Sequence, residues 1–195
     1  MRTLSKTAQV LKYFAQHYGR PGIPRTRLGK CAFMADVIAR QYLAHPITEL
    51  VYRKDFFGPY ARELPKYTTE LVEAELVNEV THGSGDSRAI RLHDRGHPVA
   101  FGFTPGEAEV LAYVSDNYLD MDLEEFVQEV VKKTEPFKTV HKHGDQLPME
   151  VLDGVVRDAV GFDLEKLIRA EKQAETGEGI TLDQFADELH SRFAS

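Results

Sequence analysis

Between Thr26 and Tyr42 the chain sets a condition that few folds can meet. Leu28, Cys31, Ala35, Ile38 and Tyr42 recur at the three-to-four spacing of one helix face. Phe33 and Val37 lie roughly opposite, so the helix is apolar on two sides and needs neighbours on both flanks. The stretch predicts a central buried helix. Asp36 sits about 80° round from Leu28 at 100° per residue. A carboxylate among apolar faces needs a hydrogen-bonding or basic partner. With no second acid or base placed beside it, Asp36 reads as structural rather than catalytic. Cys31, on the apolar side, reads as a small core residue.

Local signals place the other elements. Ser5 is a candidate N-cap for a first helix carrying Ala8, Leu11, Ala15 and Tyr18, ended by Gly19 and Pro21-Gly22. Leu76–His82 and Ser87–His93 flank a Gly-containing turn with apolar residues at even spacing, a hairpin signal. Thr104-Pro105-Gly106-Glu107 is a capping box with proline at the first helical position. The helix it opens carries Val110, Leu111, Val114 and Tyr118. A partner helix is expected from Leu123 to Lys133 and ended by Glu135-Pro136. Beyond Phe137, helical patterns recur at 151–160 and 162–174, with a last helix capped by Thr181. The predicted class is mainly α with a minor β part: a helical domain over residues 1–138 and a helical C-terminal extension over 139–195.

Tyr52 to Tyr60, reading Tyr-Arg-Lys-Asp-Phe-Phe-Gly-Pro-Tyr, is the chain's most distinctive stretch. Its aromatics favour an extended backbone, which Gly58-Pro59 then stops. A helix-like run, Ala61 to Leu64, follows, and Pro65 opens a short helix with Tyr67, Leu71 and Ala74 on one side. Successive strand residues point to opposite faces. Parity therefore predicts one of Phe56 and Phe57 in the core, with the other or Tyr60 left to anchor a partner protein.

Several function classes are excluded or weakened. The single cysteine permits no internal disulfide framework and fits a cytoplasmic protein. No apolar run approaches the ~20 residues of a membrane span. There is no Gly-rich phosphate loop, no zinc cysteine pair and no His-Glu-x-x-His. His141 and His143, with His93 and His97 more distant, make a weak case for a metal. No catalytic residue, metal or cofactor is expected. Residues 1–66 carry 12 Lys and Arg against 4 Asp and Glu, and residues 67–195 carry 12 against 27. Arg20, Arg25, Arg27 and Lys30 cluster at the start of the central helix, where cations oppose the helix dipole and an external anion would relieve them. Helices followed by a hairpin also describe a winged-helix DNA-binding regulator, although the acidic second half opposes nucleic acid.

The motifs together resemble a family. Lys6 to Ala15, then Thr26 to Asp36 with Lys30 and an aromatic-x-Ala-Asp pattern, are similar to the opening of the SocA-like, or Panacea, antitoxin domain. Tyr52, Phe57-Gly58-Pro59 and Leu64 resemble its Tyr, Phe-Gly-Pro, Leu block, and Thr104 to Phe137 its closing helices. The resemblance covers about residues 4–138. It departs at Lys133-Thr134-Glu135-Pro136-Phe137, where the family often has Thr-His-x-x-x-x-Trp. The resemblance implies a non-enzymatic accessory that neutralises a cognate toxin, by direct binding or by delivery to an AAA+ protease.

Overall fold

A computed structural model describes residues 4–19, 21–83 and 89–153 of the chain. The architecture is mainly α with small sheets. Helix α1, Lys6–Tyr18, starts at Ser5, whose hydroxyl accepts from the Ala8 amide, and stops at Gly19 with φ 79°. Strand β1 is two residues, Ile23–Pro24, and leads directly into α2, Arg25–Leu43. A short antiparallel pair follows, β2 (Tyr52–Arg53) with β3 (Tyr60–Ala61). Next come α3 (Leu64–Glu73), β4 (Val77–His82) and β5 (Ala89–Asp94). Helix α4, Pro105–Tyr118, opens with the full Thr104/Glu107 capping box. Glu107 also pairs with Lys6 at 2.7 Å, tying the start of α4 to the start of α1.

The hairpin between β4 and β5 forms in the register Val77↔Asp94 to His82↔Ala89, and its turn, 84–88, lies outside the described residues. The sequence signals missed β1, which pairs with β5 to give a three-stranded sheet of order β1-β5-β4. Two residues, one of them proline, carry too little alternation to register as a strand. The pair β2 and β3 stands between α2 and α3 and forms a separate two-stranded sheet.

Two expectations need correction. Ala61–Leu64 does not begin a helix: Tyr60–Ala61 pairs with β2, and α3 starts only at Leu64. The segment 123–133 is not a regular α-helix either. One turn of α5, Leu123–Glu125, gives way to a π-helical turn, Phe126–Val130, and then to a 3-10 turn, Val131–Lys133. That run ends at Lys133 with Thr134 extended, and Pro136 sits in the first turn of a further short helix, α6 (Glu135–Thr139), rather than ending the preceding one.

Helix α2 buries Leu28, Cys31, Phe33, Ala35, Val37 and Ile38, and packs against α1, α4, β1, β3 and β5. Packing continues past residue 138. Leu147 and Leu152 join the same core, and the Leu147 amide donates to the Tyr52 carbonyl at 2.8 Å. The helical patterns expected beyond residue 153 lie outside the described residues. Among the described residues, no helix is long and apolar enough to cross a membrane.

Candidate functional site

The stretch from Tyr52 to Tyr60 is a hairpin corner rather than one extended strand. Asp55 to Gly58 closes the turn, the Gly58 amide donating to the Asp55 carbonyl at 3.2 Å. Gly58 has φ 92°, a conformation that side-chain-bearing residues rarely adopt. A Cβ there would also lie 3.1 Å from Lys30 Cε and 3.4 Å from Val127 Cγ1. Glycine thus serves twice: it allows the bend, and it lets the corner sit down on α2 and the π-helical turn.

Two polar anchors hold the corner from beneath. The first is Lys30, buried on α2, whose ammonium donates to the Pro59 carbonyl at 2.6 Å. Burial lowers its pKa to about 8, against a smaller opposing pull from Asp55. The second is Asp36, two turns further along α2 and almost wholly buried. Its carboxylate accepts from the amides of Ile47 and Thr48, each at 2.8 Å, from the Tyr52 hydroxyl at 2.7 Å, and from the Thr48 hydroxyl. Burial raises the Asp36 pKa and outweighs the hydrogen bonds that lower it. The Tyr52 ring meets Phe33 edge-to-face at 5.1 Å. These contacts fix the loop entering β2 and the first residue of β2 itself.

A third attachment comes from the far side. Lys54 donates its amide to Asp145 and accepts from the Gly144 amide, both at 2.9 Å. Its ammonium reaches the carbonyls of Phe137 and Val140 and lies 4.4 Å from the Phe137 ring centroid. The Arg53 guanidinium donates to the Gly144 carbonyl at 3.0 Å.

On this base, the tip carries two exposed phenylalanines. Phe56 is 69% and Phe57 78% exposed. This overturns the parity expectation that one of them enters the core. Parity governs strands, and the two rings stand on a turn. Phe56 instead stacks on His143, with ring centroids 3.5 Å apart. Gly58 and Pro59 are buried, and Tyr60 is half-buried.

Among the described residues of the basic cluster, Arg27 and Lys30 are turned onto internal carbonyls rather than outward. Arg27 is buried and donates to the carbonyls of Tyr118, Leu119 and Met121 at 3.2, 2.9 and 2.7 Å, capping the C-terminal end of α4. The Lys30 ammonium is directed onto Pro59. Arg25 remains half-exposed, and Arg20 lies outside the described residues. Cys31 is buried, with its thiol pushed up to about 12. Among the described residues, no group of three or more His, Cys, Asp or Glu gathers to hold a metal.

Sequence reading missed a fully buried Lys12, which pairs with Asp94 at 2.5 Å and with Gln16 at 3.2 Å. Its partner lies 82 positions away, and no spacing rule links them. Comparison with protein-family models, with curated proteins and with solved structures gives no match for this chain.

Proposed function

We propose that this protein is a non-catalytic, antitoxin-like interaction module. Its helical scaffold, organised around α2, presents the corner Phe56–Tyr60 to a toxin protein. Neutralisation follows from direct binding or from delivery of the bound toxin to an AAA+ protease. The observation that carries the reading is the pair of exposed phenylalanines on an anchored turn. Exposed rings on a fixed base lose little conformational freedom on binding, which suits them as hot spots. The motif resemblance supports the same class, since its Tyr, Phe-Gly-Pro and aromatic-x-Ala-Asp blocks meet at this corner.

The test is co-expression with the product of a small neighbouring reading frame. The wild type restores growth, while the Phe56→Ala/Phe57→Ala double variant remains folded and fails. A neighbouring product that is harmless alone removes the toxin reading. Full rescue by the double variant moves the interface elsewhere.

A second reading, a DNA-binding regulator, draws on the three helices α1, α2 and α3 and the sheet of order β1-β5-β4, which, with β2 and β3 set aside, are compatible with a winged helix-turn-helix. The charges of the helix in the recognition position oppose it. Helix α3 and its N-cap carry one basic residue, Lys66, against Glu63, Glu70 and Glu73. A fold does not by itself carry its best-known activity. Binding to the upstream promoter duplex at nanomolar concentration, weakening by about 0.9 log units per log unit of salt for each phosphate contacted, would establish this second role.

A further inference from the structure

The surroundings of the corner carry chemistry that the aromatic tip alone does not supply. Segments 52–62 and 132–146 meet there, joined by the Lys54 backbone bonds and by the bridge between Arg53 and Gln146. Together they hold seven Lys and Arg against three Asp and Glu, within a chain of net charge −7. Several of these cations are committed internally: Arg53 and Lys54 to carbonyls, Lys133 and Lys138 to Glu129 and Glu135. Two others flank the tip. Lys142 is exposed and adjoins His143, the residue stacked on Phe56. Lys132 is half-buried, donates to the neutral Gln128 side chain at 3.3 Å with no carboxylate partner among the described residues, and is close enough to Lys30, beneath Gly58, for their charges to interact.

We propose that Phe56 and Phe57, flanked by Lys132 and Lys142, form one recognition surface for an acidic protein segment, with apolar side chains of that segment covering the rings and its carboxylates meeting the lysines. This rests on the reading of the corner as a partner-binding surface and specifies the chemistry of the partner. Aromatic rings beside cations also suit single-stranded nucleic acid. One observation favours protein instead. One face of Phe56 is already covered by His143, which leaves a base less of the ring to stack on. Charged flanks around an apolar anchor give speed and selectivity of encounter, while the anchor holds the complex.

The test uses the full chain and a phage-displayed random 12-residue peptide library as probe. Enriched peptides are expected to carry Asp or Glu flanking Leu, Ile or an aromatic residue. Measured by fluorescence anisotropy, their affinity is expected to fall about tenfold or more in Phe56→Ala/Phe57→Ala. In Lys132→Glu/Lys142→Glu it should fall about fivefold, with a loss of salt dependence. Lys142→Glu alone, at an exposed position, keeps the test valid should the half-buried Lys132 not tolerate replacement. Peptides that need the phenylalanines but lack acidic residues and ignore the lysine changes would overturn the acidic-partner proposal and leave the corner reading standing. Peptides indifferent to Phe56 and Phe57 would remove the corner reading itself. A labelled oligo(dT) 20-mer that binds the wild type and is lost in the phenylalanine variant would reassign the surface to nucleic acid.

Discussion

The hairpin of β4 and β5 is held by its own ladder of six cross-strand pairs, whereas the corner between β2 and β3 has two pairs and rests on what lies beneath it. Five of the six residues of β4 are exposed. The corner instead sends Tyr52, Gly58 and Pro59 inward, and there meets buried polar groups of α2. A short hairpin is marginal alone, so its order must come from tertiary contacts. Those contacts leave the tip free of structural duty. The comparison teaches that stability and recognition are separated at the corner by one turn of chain: polar anchors below, aromatic rings above.

Removing the lower anchor should break that separation most severely. Asp36→Ala strips the acceptor from four buried donors, and each donor left unpaired costs about 1–3 kcal/mol. A loss of about 3 kcal/mol or more is expected in denaturant melts, while melts that match the wild type would show that the carboxylate anchors nothing. Asp36→Asn keeps the shape and one acceptor oxygen for the Ile47 and Thr48 amides, presents an NH2 donor to the Thr48 and Tyr52 hydroxyls, and removes the titrating charge. Burial lifts the Asp36 pKa above its ordinary 3.8, so the folded state retains a proton that the unfolded chain has released. Its contribution to stability is present below that value and is lost as pH rises through the folded pKa. The difference in stability between wild type and Asp36→Asn should therefore shift against the wild type over that rise. A flat difference would contradict it.

Gly58→Ala comes next, at about 2 kcal/mol, because it combines a disfavoured φ with a Cβ pressed on Lys30. Lys30→Met should cost about 1–2 kcal/mol by leaving the Pro59 carbonyl unpaired. Its sign with pH is opposite to that of Asp36. Lys30 has its pKa lowered from 10.5 to about 8, so the unfolded state binds more protons between those values and the wild type gains on Lys30→Met as pH rises from 8. Parallel stability curves over that range would show that Lys30 is not desolvated by the corner.

Local chemistry was legible in the sequence, and long-range convergence was not. Ser5 and the Thr104/Glu107 box act within three residues and were read correctly. Lys30, Asp36 and Tyr52 stood out as motif residues, but their joint task depends on Pro59, 29 positions from Lys30, and on Thr48 and Tyr52, 12 and 16 from Asp36. Arg27 misled because a cation near a helix start suggests an external anion. Its partners are the carbonyls at the end of α4, more than 90 positions away. The apolar positions from Phe126 to Val131 announced a helix, yet periodicity does not distinguish α from π winding over so few residues. Phe56 and Phe57 both stand exposed on a turn, where the strand parity that placed one of them in the core does not apply.

The smallest expected stability effects fall on those two rings, and they sharpen the comparison between base and tip. Phe57 is 78% exposed, so Phe57→Ala should change stability by no more than about 0.5 kcal/mol. Phe56→Ala also removes the stack on His143, an aromatic pairing worth about 0.5–1.5 kcal/mol when well packed and less at an exposed site. It should therefore be the more destabilising of the two by a few tenths of a kcal/mol, on the order of the low end of that range. Replacing His143 with alanine should remove the difference, because both variants then lose only exposed surface. A double-mutant cycle over Phe56 and His143, followed by thermal melts, reads the coupling directly. If Phe57→Ala instead proves the costlier change by more than 1 kcal/mol (about twice the bound expected for an exposed site), that ring packs into the protein and the tip is part of the base.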